Sequence, residues 1–222
     1  MRGHFITFEG GEGTGKSTQA AMLSYRLKAL GINVRLTREP GGSPGAEVIR
    51  HVLLSGVAKT LGAEAETLLF AAAREDHVAT TIEPALARGQ WVISDRFADS
   101  TRVYQGTLGQ VDARMIRRLE KLTIGDTRPE LTFILDLPAD EGLARADARR
   151  GQANPDRFES ETLEFHQKLR EAYRQLAAEE PERCVLIDAS LPQDAVNKAI
   201  WDVVNARLEP ATAPIFVEGA TP

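Results

Sequence analysis

Five short apolar runs alternate with helical stretches along the chain, and this order limits the possible folds more than any single motif does. Phe5-Ile6-Thr7-Phe8, Asn33-Val34-Arg35-Leu36-Thr37, Gln90-Trp91-Val92-Ile93-Ser94, Leu131-Thr132-Phe133-Ile134-Leu135 and Cys184-Val185-Leu186-Ile187 read as strands. Helical patterning covers 16–29, 46–54, 63–87, 100–122, 141–149, 162–178 and 193–208. Glu39-Pro40-Gly41-Gly42-Ser43-Pro44 reads as a loop, because its prolines and glycines interrupt regular structure. Strands that alternate with helices form a parallel sheet, and near-continuous apolar strands are those buried on both faces. The expected architecture is therefore α/β: a five-stranded parallel sheet with helices on both faces.

The chain has 222 residues, enough for one compact domain but a tight fit for two. That domain is expected over 1–208, with a loose proline-bearing tail over 209–222. The net charge of −5 argues against an extended nucleic-acid surface, which needs a basic face. One cysteine, Cys184, precludes an internal disulfide, and its apolar neighbours make it a core thiol. The apolar stretch after Arg2 ends at Phe8 without a signal-peptide pattern, and no segment has the ~20 apolar residues of a membrane span. The expectation is a cytoplasmic protein without a membrane partner.

Gly10-Gly11-Glu12-Gly13-Thr14-Gly15-Lys16-Ser17, followed by Thr18, satisfies G-x-x-x-x-G-K-[ST] between a strand and a helix. Glycines let backbone N–H groups converge on phosphate oxygens, and a helix N-terminus adds a favourable dipole. Lys16 is placed to reach the β- and γ-phosphates of a nucleoside triphosphate, and the Ser17 hydroxyl to ligate Mg²⁺. The guanine-reading N-K-x-D pattern is lacking, since Asn197-Lys198 is followed by Ala199-Ile200. A monophosphate acceptor needs cations of its own. Arg38 and Arg96 each follow a strand, at the carboxyl edge where open α/β sheets bind ligands. Phe70 and Arg74 share a helical face, and Leu68 and Leu69 can fill the core in place of Phe70.

Val92-Ile93-Ser94-Asp95-Arg96-Phe97-Ala98-Asp99-Ser100-Thr101-Arg102-Val103-Tyr104-Gln105 resembles the signature of thymidylate kinases almost position by position. Thr37-Arg38-Glu39-Pro40-Gly41-Gly42, Phe70-Ala71-Ala72-Ala73-Arg74 and the phosphate loop resemble the same family in the same order. The resemblance implies a P-loop NTPase fold and transfer of the γ-phosphoryl of ATP to dTMP with Mg²⁺. It implies that Phe70 stacks on thymine and Arg74 donates to its carbonyl. Ser100, Thr101 and Gln105 would approach the base, and Tyr104 would occupy the space of a ribose 2′-OH. Arg38 and Arg96 would hold the acceptor phosphate, Glu12 would lie near its sugar, and Asp95 would assist Mg²⁺. Some members carry an arginine within the phosphate loop; Gly13 stands there in this chain. The stretch 145–157 then resembles the family's mobile lid, with Arg149 or Arg150 as the catalytic cation and Arg157 in a motif after it. A homodimer is implied by the resemblance alone. Two other readings remain: a small P-loop kinase for a different monophosphate or a nucleoside, with Glu39 or Asp95 as base, and a P-loop ATPase coupled to a partner.

Overall fold

The computed structural model describes residues 2–151 and 157–210. Its strands are β1 (Phe5–Gly10), β2 (Val34–Arg38), β3 (Trp91–Asp95), β4 (Leu131–Asp136) and β5 (Cys184–Asp188). They form one parallel sheet in the order β2-β3-β1-β4-β5, with the first strand in the middle. Its helices are α1 (Lys16–Ala29), α2 (Pro44–Leu54), α3 (Ala63–His77), α4 (Glu83–Ala87), α5 (Ala98–Thr101), α6 (Ala113–Thr123), α7 (Ala139–Arg150), α8 (Leu163–Glu179) and α9 (Gln193–Leu208).

Side chains of β1 alternate between two apolar layers. Ile6 and Phe8 pack with Leu23 and Leu27 of α1 and with Val196, Ile200 and Val204 of α9. Phe5 points the other way, into Val78, Ile82, Leu86 and Phe97. A third cluster joins Val103 and Tyr104 to Leu169, Tyr173 and Cys184, and the Cys184 thiol is pushed up to about 12 by burial. The central strands are continuous buried runs, as expected. The edge strands are not: Arg35 and Leu36 of β2 and Leu186 of β5 are exposed, because each edge has a neighbour on one side only.

Three helical boundaries differ from the sequence reading. Helix α2 starts at Pro44, where the missing proline N–H matters least, and Asp76 of α3 accepts from Ala46 N (3.0 Å) and Ser43 Oγ (2.6 Å). The stretch 63–87 is interrupted by a π-helical turn over Val78–Ile82, just before Pro84, which has no N–H to return to the preceding turn. The stretch 100–122 is not one helix. A π-helical segment, Arg102–Leu108, follows α5, and Gln110 adopts a left-handed φ of 55°. A new helix then begins behind Asp112, whose carboxylate caps Arg114 N at 2.6 Å.

Register aligns the carboxyl ends that matter for function: Phe8 is level with Asp95, and Asp95 with Arg38. The segments after β1, β2 and β3 therefore emerge side by side. Phe133 anchors this arrangement, wholly buried and 5.3 Å from the Phe8 ring. Phe133→Ala should lower the unfolding free energy by about 3–5 kcal/mol, measured by chemical denaturation; a loss below about 1 kcal/mol would mean that the site does not rest on this core.

Candidate active site

The loop after β1 is shaped by glycines with positive φ at Gly10 (133°), Gly13 (67°) and Gly15 (91°). Gly15 precedes α1 without a side-chain cap, so the first N–H groups of that helix point to whatever anion the loop cradles. Lys16 curls back over the loop, its ammonium donating to Gly11 O at 2.6 Å and Gly10 O at 3.2 Å. Burial, with Arg96 nearby, draws this ammonium down to about 8 against the pull of Glu12 and Asp95. The Ser17 hydroxyl donates to the Asp95 carboxylate. A Cβ on Gly13 would lie 1.9 Å from Gly142 O of α7, and one on Gly142 would lie 2.4 Å from Glu12 O. Helix α7 thus rests directly on the loop, and no side chain fits at position 13.

Arg96 follows β3 in a left-handed conformation (φ 69°), with Ser94 Oγ donating to its carbonyl at 2.7 Å. Its guanidinium is largely buried. It donates to Glu12 Oε1 (2.6 Å), Gly10 O (3.0 Å), Ser100 Oγ (3.3 Å) and Tyr173 Oη (3.3 Å) and lies 5.3 Å from the Tyr104 ring. Burial alone would raise the Glu12 carboxyl; Arg96 and Lys16 outweigh it and bring it down to about 2. Behind Arg96, Glu9 accepts from Phe97 N (2.8 Å), Ser100 Oγ (2.7 Å) and Tyr173 Oη (3.0 Å). Burial and Asp99 lift this carboxyl to about 7, with Arg96 opposing them.

Lys16, Ser17, Glu12 and Arg96 open onto a cavity of about 380 Å³. Gly13, Gly15, Lys16, Ser17 and Thr18 line it, whereas Gly10, Gly11 and Thr14 line a smaller cavity beside Ile134 and Tyr173 instead. Glu12, Arg38, Phe70, Arg74, Arg96, Ser100, Thr101, Tyr104 and Gln105 all reach the same cavity, as does Asp95. Phe70 is half-buried, and Leu68, expected to help replace it in the core, is 50% exposed; Ala71 and Ala73 are buried there instead. Arg74 is buried, not on the surface. Tyr104 Oη donates to Glu12 Oε1 at 3.1 Å. Arg38 sits at the exposed rim, 2.9 Å from Glu47. The lid arginines separate: Arg149 lines the cavity, 3.2 Å from Glu159, while Arg150 bonds Asp147 and Glu159 (2.8 Å) away from it. Residues 152–156 of the expected lid and 211–222 of the tail lie outside the described residues. Arg157 pairs with Glu66 at 2.7 Å.

Phe158, which follows Arg157 in the motif after the lid, lines the cavity. Arg50 lines it too, and Glu9, Tyr173 and His77 support its walls; no motif pointed to these four. Glu39, an alternative base for a nucleoside, has both oxygens occupied by Arg74 and His77.

A glycine loop between β1 and α1, with Arg38, Arg74 and Arg96 lining the same cavity, is the arrangement of a P-loop kinase. Comparison with known proteins narrows the class. A sequence model of thymidylate kinase matches residues 8–200. The chain is 62% identical over 214 residues to the thymidylate kinase of Bradyrhizobium diazoefficiens, covering 96% of this chain and 94% of that one. It is 62% identical over 208 residues to that of Rhodopseudomonas palustris strain BisB18, covering 93% and 90%. The crystal structure of thymidylate kinase from Ehrlichia chaffeensis superposes with a TM-score of 0.74 at 33% identity, covering 92% of this chain and 100% of that one. The chain belongs to the thymidylate kinase family. No described helix is long and apolar enough to cross a membrane.

The depressed Lys16 ammonium gives a titration test. With its protonation midpoint near 8, about half of the ligand-free molecules carry this proton at pH 8. A bound triphosphate restores the charge, so ATP binding should take up about half a proton per site at pH 8 and almost none at pH 6.5. Calorimetry in buffers of different ionisation enthalpy reads this directly; equal uptake at both pH values, or uptake that survives Lys16→Ala, would contradict it.

Proposed function

We infer that this chain transfers the γ-phosphoryl of ATP to dTMP, giving dTDP and ADP. The observation that carries this reading is that two cations, Lys16 and Arg96, line one cavity together with Phe70 and Arg74. One cation faces a donor phosphate, the other an acceptor phosphate, and the aromatic–guanidinium pair suits a pyrimidine. Kinship with curated thymidylate kinases over nearly the whole chain supports the same assignment.

The phosphate loop from Gly10 to Thr18 holds ATP, with Lys16 on its β- and γ-phosphates. Arg96 and Arg38 bind the acceptor phosphate. That group is largely dianionic at pH 7, its second pKa lying near ~6, so it attacks without a general base. Alignment and charge neutralisation then account for the rate. The Arg74 fork retains Nη1 for a base carbonyl, because Nε and Nη2 are engaged by Glu39, Phe97 O and Thr101. Tyr104, tied to Glu12, fills the place of a ribose 2′-OH, and Glu12 faces the sugar. Ser100, Thr101 and Gln105 border the base.

Mg²⁺ suits the Ser17 hydroxyl and Asp95 carboxylate, two hard oxygen donors side by side, since this ion takes one or two protein oxygens together with phosphate. Bound there, it neutralises charge on the β- and γ-phosphoryl oxygens. Arg149 and Arg150 supply a further cation from the end of α7. A second copy of the chain pairs with this one as a homodimer; Val48 and Val52, exposed one turn apart on α2, are consistent with such a contact. A cytoplasmic location fits a lone, buried Cys184 thiol.

A nucleoside kinase is the weaker reading, because Glu39 is locked between Arg74 and His77, and Asp95 is engaged by Ser17. Coupled ADP release measured across dTMP, dUMP, dCMP, AMP and thymidine should give the highest kcat/KM with dTMP; preference for thymidine or AMP would overturn the assignment. Arg96→Ala should raise KM for dTMP at least about tenfold, well beyond its effect on KM for ATP, through loss of a charge-assisted contact. Equal effects on both substrates would remove Arg96 from the acceptor site. The double change Arg149→Ala plus Arg150→Ala should lower kcat by about a hundredfold or more with little change in dTMP affinity. Retention of more than about a third of kcat would leave these arginines without a catalytic role.

A further inference from the structure

Arg74 reaches the base end of the cavity from a buried position, and the groups that fix it there lie outside the substrate. Its Nε donates to Glu39 Oε2 at 2.8 Å, while Nη2 donates to Phe97 O and Thr101 Oγ1. A guanidinium held at Nε can still swing if its carboxylate turns. Glu39 is prevented from turning: its other oxygen, Oε1, lies 3.0 Å from Nδ1 of the fully buried His77. On the far side of that ring, Nε2 lies 2.7 Å from Thr37 Oγ1. The Glu39 carboxylate, paired with Arg74, accepts from Nδ1–H, and Nε2 shares a hydrogen bond with the Thr37 hydroxyl. Gly42 closes over this junction, where a Cβ would lie 2.5 Å from His77 Nε2 and 2.4 Å from Thr37 Oγ1.

We propose that Thr37, His77 and Glu39 form a hydrogen-bonded chain that sets the rotation of Arg74, making His77 a positioning residue for base selectivity although it touches no substrate. The chain runs from β2 through α3 to the loop that begins with Glu39, so it joins the elements that enclose the base. It rests on the reading above that Arg74 meets the pyrimidine carbonyl. Selectivity against dCMP is the sensitive quantity, because cytosine presents an amino group where thymine presents a carbonyl, and a fixed guanidinium has nothing to accept from it.

Asparagine and glutamine separate the two ends of the ring. An Asn amide nitrogen overlays Nδ1 and can keep the bond to Glu39, whereas a Gln amide group overlays Nε2 and keeps only the Thr37 side. His77→Gln should lower the dTMP/dCMP ratio of kcat/KM about tenfold, chiefly through KM for dTMP, with KM for ATP unchanged. His77→Asn should stay within about threefold of wild type. Equal losses in both variants, or parallel losses for ATP and dTMP, would mean a packing defect and overturn the proposal. Arg74→Ala, assayed alongside, separates the levels. If it collapses the ratio and His77→Gln does not, the positioning role falls and the base reading stands; if it leaves the ratio intact, both fall. Should His77→Gln fail to fold, as judged by its thermal transition, Thr37→Val cuts the far bond with the ring in place. It should cost about threefold in the same ratio, and an unchanged ratio would overturn the proposal.

Discussion

Arg96 is a cation taken out of water and balanced by Glu12 at 2.6 Å, with a carbonyl, two hydroxyls and an aromatic face completing its surroundings. A buried guanidinium left without such partners would cost several kcal/mol, so the loop after β1 and the turn after β3 must fold against each other. Glu12 is the shared member: it accepts from Arg96 and from Tyr104, and it sits inside the phosphate loop whose next functional residue is Lys16. The proposed acceptor and donor sites thereby share one charge arrangement. Their spacing is set by the parallel pairing of β1 with β3, which brings Phe8 level with Asp95.

Much of this was legible because the carriers are local. The glycine loop, the Asp95-Arg96 turn and the Phe70–Arg74 spacing each declare themselves within a few residues, and all of them open onto one cavity. The supporting groups were hidden because their partners are remote in sequence: Glu9 meets Tyr173 across 164 positions, and His77 meets Glu39 across 38. Nothing in the neighbourhood of Glu9 or Tyr173 distinguishes a carboxylate holding a turn from a solvated one. The break in 100–122 had a readable signal. Gly109 and Gln110 followed by Asp112 form a stop and a new cap, which helical apolar spacing masked. The exposed faces of β2 and β5 follow from strand order, which periodicity does not encode.

The glycine at position 13 is explained by contact, not by charge. Helix α7 approaches so closely that Gly13 and the Gly142 carbonyl leave no room for a side chain. A cation on the loop at this point is sterically barred, and the same helix ends at Arg149 and Arg150. The packing that removes one source of positive charge therefore carries another toward the cavity, with Arg149 reaching it. Arg150, held by Asp147 and Glu159, would have to exchange those partners to act on a phosphate.

The claim on which the account stands is that Arg96 is the seat of the acceptor phosphate and Phe70 with Arg74 the seat of its base. A crystal structure with dTMP bound tests this most directly. Phosphate oxygens should lie at about 2.7–3.1 Å from the Arg96 guanidinium, with the thymine ring over Phe70 and a base carbonyl on Arg74 Nη1. A phosphate lodged on Arg149 and Arg150, with Arg96 still paired only to Glu12 and the base away from Phe70, would contradict it.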